Sequence, residues 1–394
     1  MERICSPSQC SGCGSCVNVC PQGAVSLVNG SLGAGLSHVD QSLCVDCGLC
    51  VKVCPVRTPV PLRVPTHSYA SYAKDSADRA ASASGGASAM FVNSVLEEGG
   101  VAYGCAQRED CNIGHIRVSD ISEAGLLKGS KYVYGKVADI YSSVLNDLKE
   151  QRKVFFTGLP CQVAGLVNLV ARHPGLDRLL FTADLCCHGA PSLPLLKEHV
   201  RYLGLSSRAD KAVFREKTSS GISYLLALYD SDGKRLYRRS SRKDYYMTGF
   251  VSGMFMRENC FNCPYARKER CSDITFADHW AMGRSDDPQM SYAKGISTIL
   301  VNTPKGKSLL ESASGHLILE SRPMEEALRN ARFIRPIDRP EDYERFAASY
   351  ESEGYEASCR KFLPAYMRRT LLDEIRSRYY RWPVRQFIRK LLKK

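Results

Sequence analysis

Among the 394 residues there are only two tryptophans, and no apolar run approaches the roughly 18–20 residues that a bilayer-spanning helix needs. A transmembrane reading is excluded on that ground. The opening residues, Met1-Glu2-Arg3-Ile4-Cys5, lack the apolar stretch and small-residue cleavage site of an export signal, so a cytoplasmic protein is expected. No Walker A loop, complete G-x-G-x-x-G, G-x-S-x-G or H-E-x-x-H occurs. Gly33 and Gly35 stand between two cysteine runs with no βαβ unit around them, which disfavours nicotinamide binding on a Rossmann fold. No nucleic-acid motif accompanies the net charge of +13, and nucleic-acid binding is not expected. A composition of 44% hydrophobic and 24% charged residues argues against a disordered or fibrous chain.

What the sequence has in excess is cysteine. Eighteen thiols in a reducing compartment point to metal or redox chemistry rather than disulfides, and nine of them lie before residue 55. Cys10, Cys13, Cys16 and Cys20 are followed by Pro21; Cys44, Cys47, Cys50 and Cys54 are followed by Pro55. Both runs read C-x2-C-x2-C-x3-C-P, the bacterial ferredoxin spacing in which the fourth cysteine ligates the other cluster. Cys10, Cys13, Cys16 and Cys54 are therefore expected to hold one [4Fe–4S] cluster, and Cys44, Cys47, Cys50 and Cys20 the second. Three thiolates two residues apart wrap a tight turn around one face of a cube, and Gly12, Gly14 and Gly48 relieve backbone crowding there. The competing reading, a pair of zinc knuckles, would use two C-x2-C pairs.

The expected organisation is a small two-cluster ferredoxin-like domain over residues 1–57, a linker over 58–67, a larger mixed α/β (α/β or α+β) domain over 68–335, and a helical tail over 336–394. Four prolines between 55 and 66 call for an extended, semi-rigid linker. Beyond it strand-like and helix-like segments alternate. Helices are predicted at Ala87 to Glu98 and Asp139 to Gln151. Strands are predicted at Val101 to Ala106, Val154 to Gly158, Leu179 to Asp184, Lys211 to Glu216, Ser223 to Tyr229 and Ile296 to Asn302. The last 35 residues carry twelve Lys/Arg against Asp373 and Glu374, with Phe387, Ile388, Leu391 and Leu392 at helical spacing. Such a helix is expected to be a solvated surface element, the alternative being weak contact with an anionic membrane surface.

Four segments of the large domain carry chemistry. Phe155 to Leu166 reads as a strand, a Gly158-Leu159-Pro160 turn and a helix start, placing Cys161 where a thiolate is favoured. Asp184 to Ser192 contains Cys186, Cys187 and His188 after another strand; Cys260 and Cys263 form a C-x2-C pair with Cys271 beyond; Ser84-Gly85-Gly86 opens a helix whose free N–H groups suit a phosphate. Together with Gly129-Ser130-Lys131-Tyr132, Phe214-Arg215-Glu216-Lys217 and Ser272-Asp273-Ile274-Thr275, these motifs resemble the beta subunits of coenzyme F-420 (deazaflavin) hydrogenases and dehydrogenases, over nearly the whole chain up to about Pro323.

The resemblance implies an iron–sulfur flavoprotein oxidoreductase of anaerobes with FAD in the large domain. Electrons would come from a ferredoxin-like or other redox protein and go to a small organic substrate or a deazaflavin. The alternative is an electron-transfer subunit of a larger hydrogenase or dehydrogenase complex, without a substrate of its own. The likeness further suggests Cys161, Cys187, Cys260 and Cys263 as ligands of a third [4Fe–4S] cluster, with Cys186 or Cys271 as substitutes and Cys5, Cys105, Cys111 and Cys359 as non-ligands. Ser84, Gly85, Gly86, Ser130, Lys131, Thr157 and Gly158 become candidates for the FAD cradle, and Arg215 and Lys217 for its pyrophosphate or reduced ring. His188, His279 and Lys217 are the candidate catalytic groups. The chain departs from the family's Gly-Asp-Phe-Trp-Gly at Ala277-Asp278-His279-Trp280-Ala281, which puts an unchanged active-site loop in doubt.

Overall fold

The computed structural model describes residues 3–137, 139–218, 221–280, 283 and 285–381. In the N-terminal region two five-residue helices, Ser15–Val19 and Leu49–Val53, each begin after a left-handed glycine (Gly14, φ 82°; Gly48, φ 71°) and end at a cysteine in extended backbone, Cys20 and Cys54. Helices this short do not persist unaided. They sit beside an antiparallel pair, β1 (Val25–Asn29) and β2 (Gly35–Val39), whose register matches Val25 with Val39. A Cβ on Gly12 (φ 61°) would stand 2.6 Å from the Gly35 carbonyl oxygen, so no larger residue fits this loop.

Hydrogen bonds hold the linker against the large domain. Arg63 exchanges two backbone hydrogen bonds with Arg270 (2.9 and 2.8 Å), and the Asn168 amide donates to the Thr58 carbonyl at 2.6 Å.

The remaining strands are β3 (His67–Ala73), β4 (Val101–Arg108), β5 (Asn112–Val118), β6 (Val154–Gly158), β7 (Leu180–Leu185), β8 (Lys211–Thr218), β9 (Gly221–Tyr229), β10 (Arg235–Ser240), β11 (Ile274–Asp278), β12 (Ser297–Val301) and β13 (Leu317–Ser321). Eight of them form one sheet in the order β13-β3-β12-β11-β7-β6-β4-β5. Its centre, β4-β6-β7-β11, is parallel, and the strands flanking that centre pair antiparallel. The mixed α/β class is therefore as expected. Strand β6 is buried throughout because helices cover both faces. Phe155 packs with Phe91, Val95 and Leu309 of helices Ala87–Glu97 and Pro304–Ala313; its neighbour Phe156 packs on the other face with Tyr141 and Val163 of helices Ile140–Lys149 and Pro160–Val170. The two-residue period of a strand accounts for this division.

The antiparallel sheet β10-β9-β8 packs with helices Leu193–Tyr202 and Tyr245–Ser252 around a second core. The tail begins differently from the expectation. Helix Tyr343–Arg381, interrupted at Gly354 (φ 82°), buries Tyr343, Phe346, Tyr355, Cys359 and Leu363 in that second core. The Tyr355 hydroxyl meets His199 Nδ1 at 2.9 Å, and His199 Nε2 meets Asp244 at 2.8 Å. A boundary at residue 336 thus cuts through a packed core, because aromatic residues between the basic ones carry the packing. The amphipathic turns at Phe387, Ile388, Leu391 and Leu392 lie outside the described residues. Among the described residues no helix is long and apolar enough to cross a membrane.

Candidate iron–sulfur and flavin site

Two cavities occupy the N-terminal region. The inner one, about 330 Å³, is lined by Cys10, Cys13, Cys16 and Cys54 with Cys5 beside them. The outer one, about 340 Å³, is lined by Cys20, Cys44, Cys47 and Cys50. Each draws three cysteines from one run and one from the other, because both short helices end by delivering their last cysteine across the pseudo-symmetric pair. The inner set is buried apart from Cys5, whereas Cys47 is exposed between the exposed side chains of Leu43 and Val45. The Ser37 amide donates to Cys10 Sγ at 3.5 Å. Hydrogen bonds from the Cys5 thiol pull Cys10 down to about 5 and Cys54 down to about 6, while the same bonds push Cys5 up. Cys5, expected to be a non-ligand, lines the inner cavity beside the four ligand candidates. Four converging thiols around each cavity, with glycines clearing the approach, fit a cuboidal iron–sulfur cluster. Among the described residues no three His, Cys, Asp or Glu groups converge closely enough for a single ion.

A third set gathers at the carboxyl ends of the parallel strands. Cys161 lies in the first turn of helix Pro160–Val170, started by Pro160 and by the Leu159 amide donating to Gln162 Oε1 at 2.9 Å. Cys187 follows β7, and Cys260 and Cys263 lie in and after the turn Glu258–Asn262. Burial, and after it the thiols of Cys260, Cys161 and Cys263, push Cys187 far up; burial takes Cys161 to about 12. Such thiols stay protonated unless a metal holds their sulfurs. The Gly189 amide donates to Cys187 Sγ at 3.3 Å. Of the two substitutes, Cys271 packs in the same core as Cys161 and Cys186 does not. The Cys186 amide continues the β11 pairing by donating to the Phe276 carbonyl, and its side chain packs with Leu300 and Phe333, away from Cys187 as alternation requires. The Cys271 thiol donates to the Pro160 carbonyl at 3.4 Å. Cys105, Cys111 and Cys359 pack in cores or beside them.

The third set adjoins the inner cavity. A Cβ on Gly165, one helical turn beyond Cys161, would stand 2.9 Å from Cys13 Sγ and clash with Ser15 Oγ. Arg257 donates to the Ser11 and Ala190 carbonyls and lies 3.6 Å over the Tyr134 ring, while the Tyr134 hydroxyl donates to the Gly12 carbonyl at 3.0 Å. Burial works against the charge of Arg257, but Cys260, Tyr134, Cys161 and Cys187 outweigh it and raise its pKa. Sequence reasoning missed Arg257, Tyr134 and Gly165. The one trace of Arg257 in the sequence is a lone cation after the apolar run Met254-Phe255-Met256.

Nearby, Arg215 of β8 and Tyr224 of β9 reach the end of β11 and the turn after it, and the carboxyl ends of parallel strands are where α/β sheets hold ligands. Arg215 grips Asp278 through both terminal nitrogens (2.9–3.1 Å) and lies 5.1 Å over Tyr224. Rings stack in series from Phe250 to Tyr132 (4.4 Å), Tyr224 (6.2 Å) and Trp280 (6.0 Å), the last 43% exposed. Among the described residues, Arg215 Nε and His188 Nε2 are buried without a hydrogen-bond partner. Burial takes His188 down to about 4, so its ring is neutral near pH 7. A flat apolar surface with two unspent polar atoms fits an isoalloxazine ring.

The expected phosphate cradle fits less well. The Lys131 ammonium spends its protons on the Cys105, Leu127 and Lys128 carbonyls, and burial lowers its pKa to about 8. Lys217, also lowered to about 8 by burial, donates to the Arg79 and Ser84 carbonyls and so closes the Ser84 loop. Gly85 is packed against Ser71 and Ser297; a Cβ there would stand 2.6 Å from the Ser297 amide nitrogen. Gly86 (φ 95°) starts helix Ala87–Glu97, whose Ala87 amide is already directed at Ser297 Oγ. Ser130 is half-buried, Gly158 is buried, and Thr157 donates to the Tyr103 carbonyl. His279, expected as a candidate catalytic group, has both ring nitrogens engaged. Thr298 and Glu326 hold both its nitrogens at 2.8 Å and its side chain is fully buried, so it braces the Asp278–Trp280 turn. Ala281 lies outside the described residues.

The two cysteine-lined cavities fit a pair of iron–sulfur clusters. Residues 9–58 match the family model of the 4Fe-4S dicluster domain, and residues 151–327 match that of the C terminus of the Coenzyme F420 hydrogenase/dehydrogenase beta subunit. Both matches are to parts of the chain, one over the N-terminal cysteine runs and the other over much of the sheet domain. Among solved structures it is similar to a chain of the F420-reducing [NiFe] hydrogenase complex from Methanosarcina barkeri, at 18% identity and a TM-score of 0.46, over 74% of this chain and 90% of that one. No curated protein matches it in sequence.

Proposed function

We propose that this chain is an iron–sulfur flavoprotein reductase. Electrons from a ferredoxin-type donor enter at the exposed outer cavity, pass inward to the Cys10/Cys13/Cys16/Cys54 cluster and to a third cluster on Cys161, Cys187, Cys260 and Cys263, and serve an FAD at the strand ends. The substrate is a small organic molecule or a deazaflavin. The observation that carries this reading is the contact of Cys13 with Gly165, which sets the last sulfurs of the ferredoxin part against the helix that bears Cys161. FAD supplies the conversion of single electrons into a hydride.

The chain's own groups bind and orient. Asp278 fixes the Arg215 guanidinium and leaves Nε for an acceptor on the flavin ring. Trp280 on Tyr224 offers the exposed flat face. His188, whose Nε2 has no hydrogen-bond partner among the described residues, directly follows Cys187 in the chain. Cys47, with Leu43 and Val45, forms the apolar, solvent-facing patch for the donor.

Anaerobic purification with iron, sulfide and flavin quantified together tests the reading. About twelve irons and one FAD per chain are expected for three four-iron clusters. Eight irons with FAD would remove the third cluster; eight without flavin would leave an electron-transfer subunit. Cys260→Ser should cost about four irons, whereas Cys271→Ala should cost none.

A further inference from the structure

We infer that Arg257 is the counter-charge of the third cluster and the link between it and the inner N-terminal cluster, holding the third cluster's potential where it accepts an electron from Cys13's side. The inference rests on the third-cluster reading above. Its starting point is a charge without an evident partner. Arg257 is 3% exposed, and among the described residues no carboxylate pairs with it. The comparably buried Arg215 and Arg270 each hold an aspartate, Asp278 at 2.9 Å and Asp184 at 3.0 Å. An uncompensated buried cation is strongly destabilising, so an anion belongs beside it. A [4Fe–4S] cube on four thiolates is such an anion.

Position decides which cube. Arg257 donates to the carbonyl of Ser11, between Cys10 and Cys13, and to that of Ala190, three residues after Cys187; it precedes Cys260 by three. Tyr134 completes the joint, with its ring under the guanidinium and its hydroxyl on the Gly12 carbonyl. One side chain therefore ties the inner ligand loop to two ligand segments of the third set. An arginine keeps its charge at any working pH, and a fixed cation favours the more negative, reduced state of a cluster. Transfer across this joint moves one electron, with no bond made or broken and no proton required.

The test uses the full chain, purified anaerobically, as wild type, Arg257→Met and Arg257→Lys. Iron is counted and each cluster is titrated by EPR-monitored potentiometry. Arg257→Met should keep its iron and make the third cluster at least tenfold harder to reduce, about 59 mV lower for one electron. The outer cluster should not move, and Arg257→Lys should recover most of the shift. Where Arg257→Met instead loses about four irons, recovery of them by Arg257→Lys supports the inference equally, and equal behaviour of the two variants overturns it. Full iron with unmoved potentials in Arg257→Met overturns the role of Arg257 alone. Wild type with eight irons removes the third cluster and this inference with it.

Discussion

The N-terminal region and the sheet domain bury different atoms. In the first, Ile4, Val25 and Val39 are interleaved with Cys16 and Cys54 and bordered by Cys5, Cys20, Cys44 and Cys50. In the second, Phe91, Phe155, Ile299 and Leu309 fill one face of the sheet and Tyr141, Phe156 and Leu166 the other. The difference teaches where each gets its stability. The sheet domain is held by removal of hydrocarbon from water. The ferredoxin part, with two five-residue helices and one two-stranded pair, depends on what its thiols bind.

Iron removal should break the comparison open most widely. Structural metal binding in small domains is worth on the order of 10 kcal/mol, more than the few kcal/mol that a domain of about 55 residues musters by itself. Chelation of the intact chain should therefore strip amide exchange protection from residues 9–58 and leave β6 and β12 protected. Uniform loss across both regions would show that the sheet domain also depends on iron.

A smaller effect is expected where the two regions touch. Gly165→Ala would place a methyl group against Cys13 and Ser15. Overpacking of this kind costs about 1–3 kcal/mol, against at most about 1 kcal/mol recovered from the helix preference of Ala over Gly. The apparent Tm should fall by about 2–4 °C, with weakened magnetic coupling between the inner cluster and the proposed third one. An unchanged Tm and coupling would mean that the contact yields without strain.

The smallest effect concerns the sheet domain alone. Burial raises the pKa of Glu326, but Arg322, His279 and the Gly283 amide outweigh it and bring the carboxyl from 4.5 down to about 2. Because the folded value lies below the unfolded one, the carboxylate stabilises fully above about pH 4.5, and that stabilisation is lost as pH falls towards 2. Glu326→Gln should lower stability at neutral pH and flatten acid denaturation between those limits, as followed by tryptophan fluorescence. A parallel acid profile would show that His279 and Arg322 contribute nothing through this carboxylate.

Legibility followed range. The two N-terminal cysteine runs could be read because a cluster site is written in short spacings, and Val154–Gly158 because a buried central strand is a continuous apolar run. His67–Ala73 escaped because serine, alanine and tyrosine carry little apolar alternation; Asn112–Val118 escaped because Gly114 and Arg117 interrupt its pattern at the sheet edge. Of the residues proposed to face a flavin, Arg215 was legible through its motif, but Tyr224 and Trp280 share a stack only through the packing of β9 on the turn after β11. Lys131 and Lys217 read as phosphate ligands because a cation in a turn looks the same in sequence whether it faces an anion or its own carbonyls.

The order of amino acids by itself determined the two N-terminal thiol quartets, the strand-and-helix alternation and the proline-rich linker between them, since each is settled by neighbours a few residues apart. Tertiary structure alone decided that Cys187 rather than Cys186 lies beside the thiols of Cys161, Cys260 and Cys263, and that Arg257 stands near them with no carboxylate paired to it among the described residues. Those outcomes depend on which face of a strand meets which helix, and that is fixed only when segments some hundred residues apart in the chain pack together.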